Sequence, residues 1–359
     1  MTAFVLTFLL QVRIVFWNLE NLFDYKTDSV VFAGSTAPPA GMAALGRDTP
    51  KSEIFSGTPF SNPSRGPSLL GKDSSEGAYR TGGAVPPARQ REFSPSGEKK
   101  WTGRKFYRKC SMIAKGIFWI ADQYGGLPDI VAVAEVESGA VLRKLLWSTS
   151  LGKAGYRYVH YDSPDPRGID VALLYRNGAL RLIDSKPCHV GIPTRDILLC
   201  RFVKDSTEFA VLVNHHPSKY GGAASEPRRA AARRRMKEAA DSLMDLGVPL
   251  VIACGDFNDT PDSPAFSVLS PSFRLLSEDL YNGREGTIRF NGSWELIDLF
   301  YGAPASAFPD SSFRVFAVRI PFLMVRDRTH PGEKPLRTYS GPRYLGGVSD
   351  HLPVYLQIH

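Results

Sequence analysis

Six short polar clusters stand at the ends of apolar runs, in order along the chain: Asn18-Leu19-Glu20, Glu135-Val136-Glu137, Asn214-His215-His216, Gly255-Asp256-Phe257-Asn258-Asp259, Ile297-Asp298 and Ser349-Asp350-His351. Acids, amides and imidazoles at strand ends can hold a hard cation through oxygen, move a proton and donate to a phosphoryl oxygen. In Gly255-Asp256-Phe257-Asn258 an apolar run stops at a glycine, and alternation puts Asp256 and Asn258 on one side if the strand continues. The bland reading is a turn, where Gly, Asp and Asn are favoured. Glu135 closes another apolar run and suits the one or two carboxylates that Mg²⁺ takes from a protein, while Glu137 suits the start of the helix that follows. Asp170 and Asp298 are embedded in apolar strands, where an acid is costly to bury unless it is paired. His215 and His351 supply partners, giving the expected pairs Asp170 with His215 and Asp298 with His351, in which the carboxylate fixes the imidazole tautomer and raises its basicity.

The elements that must carry these residues follow from periodicity. β-branched and aromatic runs predict strands over 12–17, 130–134, 156–161, 169–175, 197–203, 208–214, 249–254, 295–300 and 353–358. Ile113, Ile117, Ile120 and Tyr124 recur at helical spacing and predict a helix over 105–124, with further helices over 137–147 and 225–245. The last of these carries Arg228, Arg229, Arg233, Arg234, Arg235 and Lys237 at several angles around its axis, and reads as a solvated surface helix. Strands in hairpin-like succession alternate with strands separated by helices. That pattern fits one α+β domain over 12–359, in which two sheets pack face to face and helices flank them. Residues 33–100 interrupt it as a low-complexity insertion rich in Gly, Pro and Ser, without the apolar periodicity a core needs. Residues 1–11 are apolar but too short to span a bilayer, and they lack the basic start of a secretory signal; a remnant signal is one reading, and the compartment, cytoplasmic or exported, is left open.

Composition narrows the partners. A chain of 359 residues with 43% hydrophobic and 22% charged residues is that of a soluble globular protein. The net charge of +8 favours anionic partners such as nucleic acid or phospholipid surfaces. Cys110, Cys188, Cys200 and Cys254 form no CxxC pair, so neither a zinc site nor a disulfide framework is signalled.

Taken together, Phe16-Trp17-Asn18-Leu19-Glu20-Asn21-Leu22-Phe23-Asp24, Arg167-Gly168-Ile169-Asp170-Val171-Ala172-Leu173-Leu174-Tyr175 and Gly346-Gly347-Val348-Ser349-Asp350-His351-Leu352-Pro353-Val354 resemble the endonuclease/exonuclease/phosphatase superfamily, and within it bacterial members of unassigned substrate. The likeness covers roughly residues 12–27 and 92–359. It implies a four-layer α/β/β/α sandwich with the site where loops of both sheets meet. It also implies that Glu135 binds the principal Mg²⁺ or Mn²⁺, with Asn18, Glu20 and Asp350 near that ion or a second one. Asp256 and Asn258 would position the attacking water and the phosphoryl group, and His215 would stabilise the pentavalent charge. His351, oriented by Asp298, would serve as general base or as transition-state donor, the choice between it and Asp256 as base staying open. Asp170 counts among the catalytic group, and Arg167 and Asn214 are expected to meet the substrate phosphate. Ala134 and His216 depart from the family pattern without removing a catalytic group. The resulting expectation is a monomeric, divalent-metal-dependent phosphoester hydrolase without a transmembrane segment. A nuclease is the first reading, a phosphatase or phosphodiesterase on phospholipid, inositol-type or other small phosphoesters the alternative, and a catalytically silent binding module the rival.

Overall fold

In the computed structural model of this chain, the described residues are 11–26, 91–219 and 222–359. The strongest apolar runs become neighbouring strands of two mixed six-stranded sheets. The first contains β1 (Val12–Leu22), β2 (Ile130–Val136), β3 (Tyr156–His160), β4 (Asp170–Arg176), β13 (Phe313–Ala317) and β18 (Val354–Ile358), in the order β13-β18-β1-β2-β4-β3. The second contains β5 (Arg181–Cys188), β6 (Ile197–Lys204), β7 (Thr207–His215), β8 (Val251–Asp256), β9 (Arg274–Leu275) and β12 (Asp298–Ala303), in the order β5-β6-β7-β8-β12-β9. Parallel pairing occurs at the centre of each sheet, between β1 and β2 and between β7 and β8. Three hairpins stand outside the sheets: β10 with β11 (Ile288–Phe290, Ser293–Glu295), β14 with β15 (Met324–Arg326, Glu333–Pro335) and β16 with β17 (Tyr339–Ser340, Arg343–Tyr344).

Alternation along the strands decides which face goes where. Ile14, Phe16, Ala132, Ala134, Val171 and Leu173 of the first sheet pack in one cluster with Leu198, Val211, Val213 and Ile252 of the second. Val15, Trp17, Val131, Val133 and Leu174 point the other way, against Ile113, Ile117 and Ile120 of α1 (Gly103–Gln123) and Leu142 and Leu145 of α2 (Gly139–Ser148). Helix α3 (Glu226–Asp245) sets Met236, Ala240 and Leu243 against the second sheet, and a short α4 (Glu278–Asn282) follows it. The layers run α/β/β/α, as expected. Among the described residues no helix is long and apolar enough to cross a membrane.

Three expectations change. Residues 1–10 and 27–90 lie outside the described residues, but 91–100, assigned to the insertion, belong to the packed chain. Phe93 is buried, stacks on Phe23 with ring centroids 5.0 Å apart and meets Trp101 edge-on; burying such a side chain contributes about 1.5–3 kcal/mol. A single aromatic inside a Ser/Pro/Gly stretch carries no periodicity, so its burial was not legible. Helix α3 is not a uniformly solvated helix: Arg229 and Arg233 are buried, and Arg233 reaches Asp259 at 2.9 Å and Glu226 at 3.0 Å. That network ties α3 to the loop after Asn258. Strand β1 runs on to Leu22, well past residue 17, because a bulge lets Leu19–Asn21 leave the ladder and Leu22 rejoin it.

Candidate active site

At one end of the sandwich the strands lose regular register, and the polar clusters sit at the irregularities. Pairing of β1 with β2 shifts between Asn18 and Leu22, and pairing of β2 with β4 shifts between Ala134 and Val136, leaving Glu135 unpaired in the bulge. Bulges re-aim side chains that regular alternation would bury. Four residues of these clusters, Glu20, Asn21, Glu135 and Asn258, have φ between 46° and 62°, a region that non-glycine residues occupy at an energetic cost and that concentrates at functional sites. The backbone N–H of Asn21 donates to Glu135 Oε2 at 2.8 Å and fixes that carboxylate, whose other oxygen lies 4.0 Å from His215 Nε2.

The second sheet lines up the opposite wall. His215 and Asp256 are register partners in the parallel pair β7–β8, and Asp298 is the antiparallel partner of Asp256. Glycine is required at 255 because a Cβ there would lie 2.3 Å from the Asn214 carbonyl oxygen. Asp256 is the hub. Its Oδ2 accepts from Asn18 Nδ2 at 3.0 Å, bridging the two sheets, and lies 3.6 Å from His215 Nε2 and 3.9 Å from His351 Nε2. Its Oδ1 accepts from the Asn258 N–H at 2.9 Å, and Asn258 Nδ2 donates to the His216 carbonyl. His351 pairs through Nδ1 with Asp298 Oδ2 at 2.8 Å, the partner expected from sequence, and its carbonyl accepts from Trp17 Nε1 at 3.1 Å.

A second group of charges adjoins Glu135. Arg337 donates to Glu20 Oε1 at 2.8 Å and reaches Asp350 Oδ2 at 3.1 Å, and the Lys109 ammonium, buried under helix α1, donates to the Glu20 carbonyl. Burial, reinforced by Asp350, pushes the Glu20 carboxyl up to about 7. Burial likewise lowers the Lys109 ammonium to about 8.

Electrostatics separate the two histidines. Burial, with the Arg195 and Arg167 guanidinium groups, holds His215 well below the ordinary imidazole range. Burial opposes protonation of His351 too, but Asp298, with Asp256 and Asp350, outweighs it and holds that imidazole well above the ordinary range. Asp256 is raised to about 7, by burial first and by Asp298, against the opposing pull of His351. Surroundings thus push the two imidazoles in opposite directions, with the raised Asp256 carboxyl between them.

Two expectations about site residues are corrected. Asp170 does not pair with His215: its Oδ2 meets His160 Nε2 at 3.0 Å and its Oδ1 accepts from the Ser163 N–H at 2.9 Å. His160 lies on the neighbouring strand β3, so a partner within the same sheet satisfies this acid before one across the sandwich can. Asn214 does not face a substrate phosphate, because it is fully buried and its Nδ2 donates to the Leu212 and Cys254 carbonyls, 3.0 and 3.3 Å away. Arg167 remains half-exposed beside His215, with Nε 3.5 Å from Asp165. Sequence reasoning missed Arg195, which is buried, pairs with Asp165 at 2.8 Å and donates to the His215 and His216 carbonyls at 3.1 and 2.5 Å. It sits in an irregular loop, and no local pattern announces it. Arg337, also in a loop, and Lys109, on the cation-rich helix α1, were missed as well.

A two-sheet α/β/β/α sandwich with acids, amides and imidazoles converging at one end defines a phosphoester hydrolase of nuclease or phosphatase type. Residues 81–359 match the model of the Endonuclease/Exonuclease/phosphatase family, and the chain belongs to that family. A comparison with curated protein sequences found no match. Among solved structures, the chain is similar to truncated Caenorhabditis elegans TDP2, at 15% identity over 71% of this chain and 92% of that one with a TM-score of 0.48. It is also similar to an endonuclease/exonuclease/phosphatase family protein from Bacteroides thetaiotaomicron, at 13% identity over 97% of each chain with a TM-score of 0.49. A third likeness is to the human Nocturnin catalytic domain with bound sulfate, at 17% identity over 70% of this chain and 86% of that one with a TM-score of 0.47.

Proposed function

We propose that this protein is a divalent-metal-dependent phosphoester hydrolase whose substrate is a nucleic acid, acting as a single chain. The observation that carries the reading is the hub at Asp256, within 3.0–3.9 Å of Asn18, His215 and His351, with Glu135 facing His215 from the other sheet. The donor set fits Mg²⁺ or Mn²⁺: it consists of hard oxygens, and beside it the Glu20 carboxyl is raised by burial and then by Asp350, a crowding of acids that a divalent cation relieves. Glu135 would hold the ion, with Asn18 and Asp350 as further oxygen donors. Glu20, bonded to Arg337 and Thr338, orients Arg337 and is not a free ligand. The bound ion would supply charge neutralisation at a phosphoryl oxygen.

The remaining chemistry falls to side chains. Asp256, raised to about 7, takes the proton of the attacking water as its oxygen forms a bond to phosphorus. His351, held cationic by Asp298, donates toward the phosphoryl group or the departing oxygen, so the donor role suits it better than the base role. Neutral His215 and Asn258 donate to the charge that develops; losing one such donor typically costs on the order of 10²–10³ in turnover. Arg167 steers a polyanion toward the site, and the net charge of +8 acts in the same direction.

The test is a substrate panel of plasmid DNA, RNA, bis-p-nitrophenyl phosphate and sphingomyelin with Mg²⁺. Cleavage of a nucleic acid that is strongly inhibited by salt, alongside salt-insensitive cleavage of the small diester, is the expected result. Turnover of sphingomyelin or the small diester alone would move the assignment to a phosphatase or phosphodiesterase. No turnover and no Mg²⁺- or Mn²⁺-dependent thermal shift would leave a silent binding module.

A further inference from the structure

The β10–β11 hairpin is fastened to the backbone of the site at two points. The Leu352 N–H donates to the Thr287 carbonyl at 2.7 Å, and Thr287 Oγ1 accepts from the Ile297 and Asp298 N–H groups at 3.4 and 3.3 Å. Ile288 is the antiparallel bridge partner of His351 itself. Directly paired residues share a face, and so do alternate residues of one strand, so His351, Ile288 and Phe290 project from the same side of this ribbon. At about 3.3 Å per residue, Phe290 stands about 7 Å beyond the position opposite His351. It is 61% exposed, at a tip that continues as Asn291-Gly292.

The other face of the hairpin is cationic and braced. The Arg319 guanidinium lies 4.3 Å over the Trp294 ring, and Arg289 is held by the carbonyls of Gly292, Pro331 and Glu333, with the Asp327 carboxylate near enough to feel its charge. Those bonds tie β10–β11 to the β14–β15 hairpin, where Arg326, the register partner of Glu333, and Arg328 in the turn are exposed. The ribbon thus presents Phe290 on the side of the hub, with Arg289 and Arg319 on its opposite face.

We propose that Phe290 is a stacking residue for a base of a single-stranded nucleic acid whose scissile phosphate lies at His351 and Asp256. This rests on the hydrolase reading above and narrows its substrate to strands with an unpaired base beside the cleavage point. Bases stack on an aromatic face whatever their identity. A lipid surface fits less well, since membrane anchoring needs a broad apolar area and the residues flanking Phe290 at the tip, Asn291 and Ser293, are polar and exposed.

The experiment compares wild type, Phe290→Ala and Phe290→Trp on a single-stranded oligonucleotide and on bis-p-nitrophenyl phosphate, with melting curves as the folding control and flotation on phosphatidylserine vesicles as the membrane arm. The expected result is that Phe290→Ala lowers kcat/KM on the oligonucleotide on the order of tenfold relative to the small diester, through KM, and that Phe290→Trp restores it. An unchanged ratio overturns the proposal, as does a loss confined to vesicle binding. A wild-type protein that cleaves neither substrate would instead overturn the hydrolase reading, which keeps the two failures distinguishable.

Discussion

Asp256 sits where burial and function conflict. Its carboxyl is raised from the usual range to about 7, so between about pH 4 and 7 the folded protein keeps a proton that the unfolded chain releases. Stability of the metal-free protein therefore falls as pH rises through that window. His351 acts in the same direction at higher pH: its pairing with Asp298 stabilises fully below the ordinary imidazole range, and that contribution is lost as pH rises through its elevated value. Asn at 256 removes the first effect. Melting curves of metal-free wild type and Asp256→Asn from pH 5 to 8 should show the variant gaining on wild type as pH rises. Parallel profiles would mean that Asp256 is not desolvated as described.

At the scale of elements, the loop that carries Arg195 holds the end of strand β7 from behind. Arg195→Met takes from buried Asp165 its closest ion partner, leaving Arg167 at 3.5 Å, and removes a donor from the His215 and His216 carbonyls; breaking a buried pair typically destabilises by about 3–5 kcal/mol. Adding Asp165→Leu should recover most of that stability, because an apolar pair avoids the stranded charge. Urea midpoints of the single and double variants check this, and a single variant as stable as wild type would contradict it. The same loop shows why part of the site could not be read from sequence. Asp256, Asn258, Asp298 and His351 were legible because each ends or interrupts an apolar run, where a polar residue stands out against a strong pattern. Arg195, Arg337 and Lys109 lie in loops or on a helix already rich in cations, and only the fold brings them beneath the carboxylates. Asp170 was recognised as an acid needing a partner, but sequence could not choose between His160 on the adjacent strand and His215 across the sandwich.

For the molecule as a whole, two sheets each bring part of the site and neither is sufficient alone. Sheet one contributes Asn18 and Glu135 through bulges, sheet two contributes His215, Asp256 and Asp298 in one row, and the final strand's approach supplies Asp350 and His351. The main strands and flanking helices were legible from periodicity. The edge strand β5 and the small hairpins were not, since their residues are half-exposed and lack a sustained two-residue period. Binding of metal and substrate should depend on the sandwich being closed, with Glu135 and Asp256 on facing walls. The most direct check is bis-p-nitrophenyl phosphate hydrolysis by wild type and Glu135→Gln, each titrated with Mn²⁺ or Mg²⁺ after chelation. Metal-dependent turnover in wild type that falls at least a hundredfold in a folded Glu135→Gln protein is the predicted result; turnover that survives chelation, or a Glu135→Gln variant with wild-type rates, would contradict it.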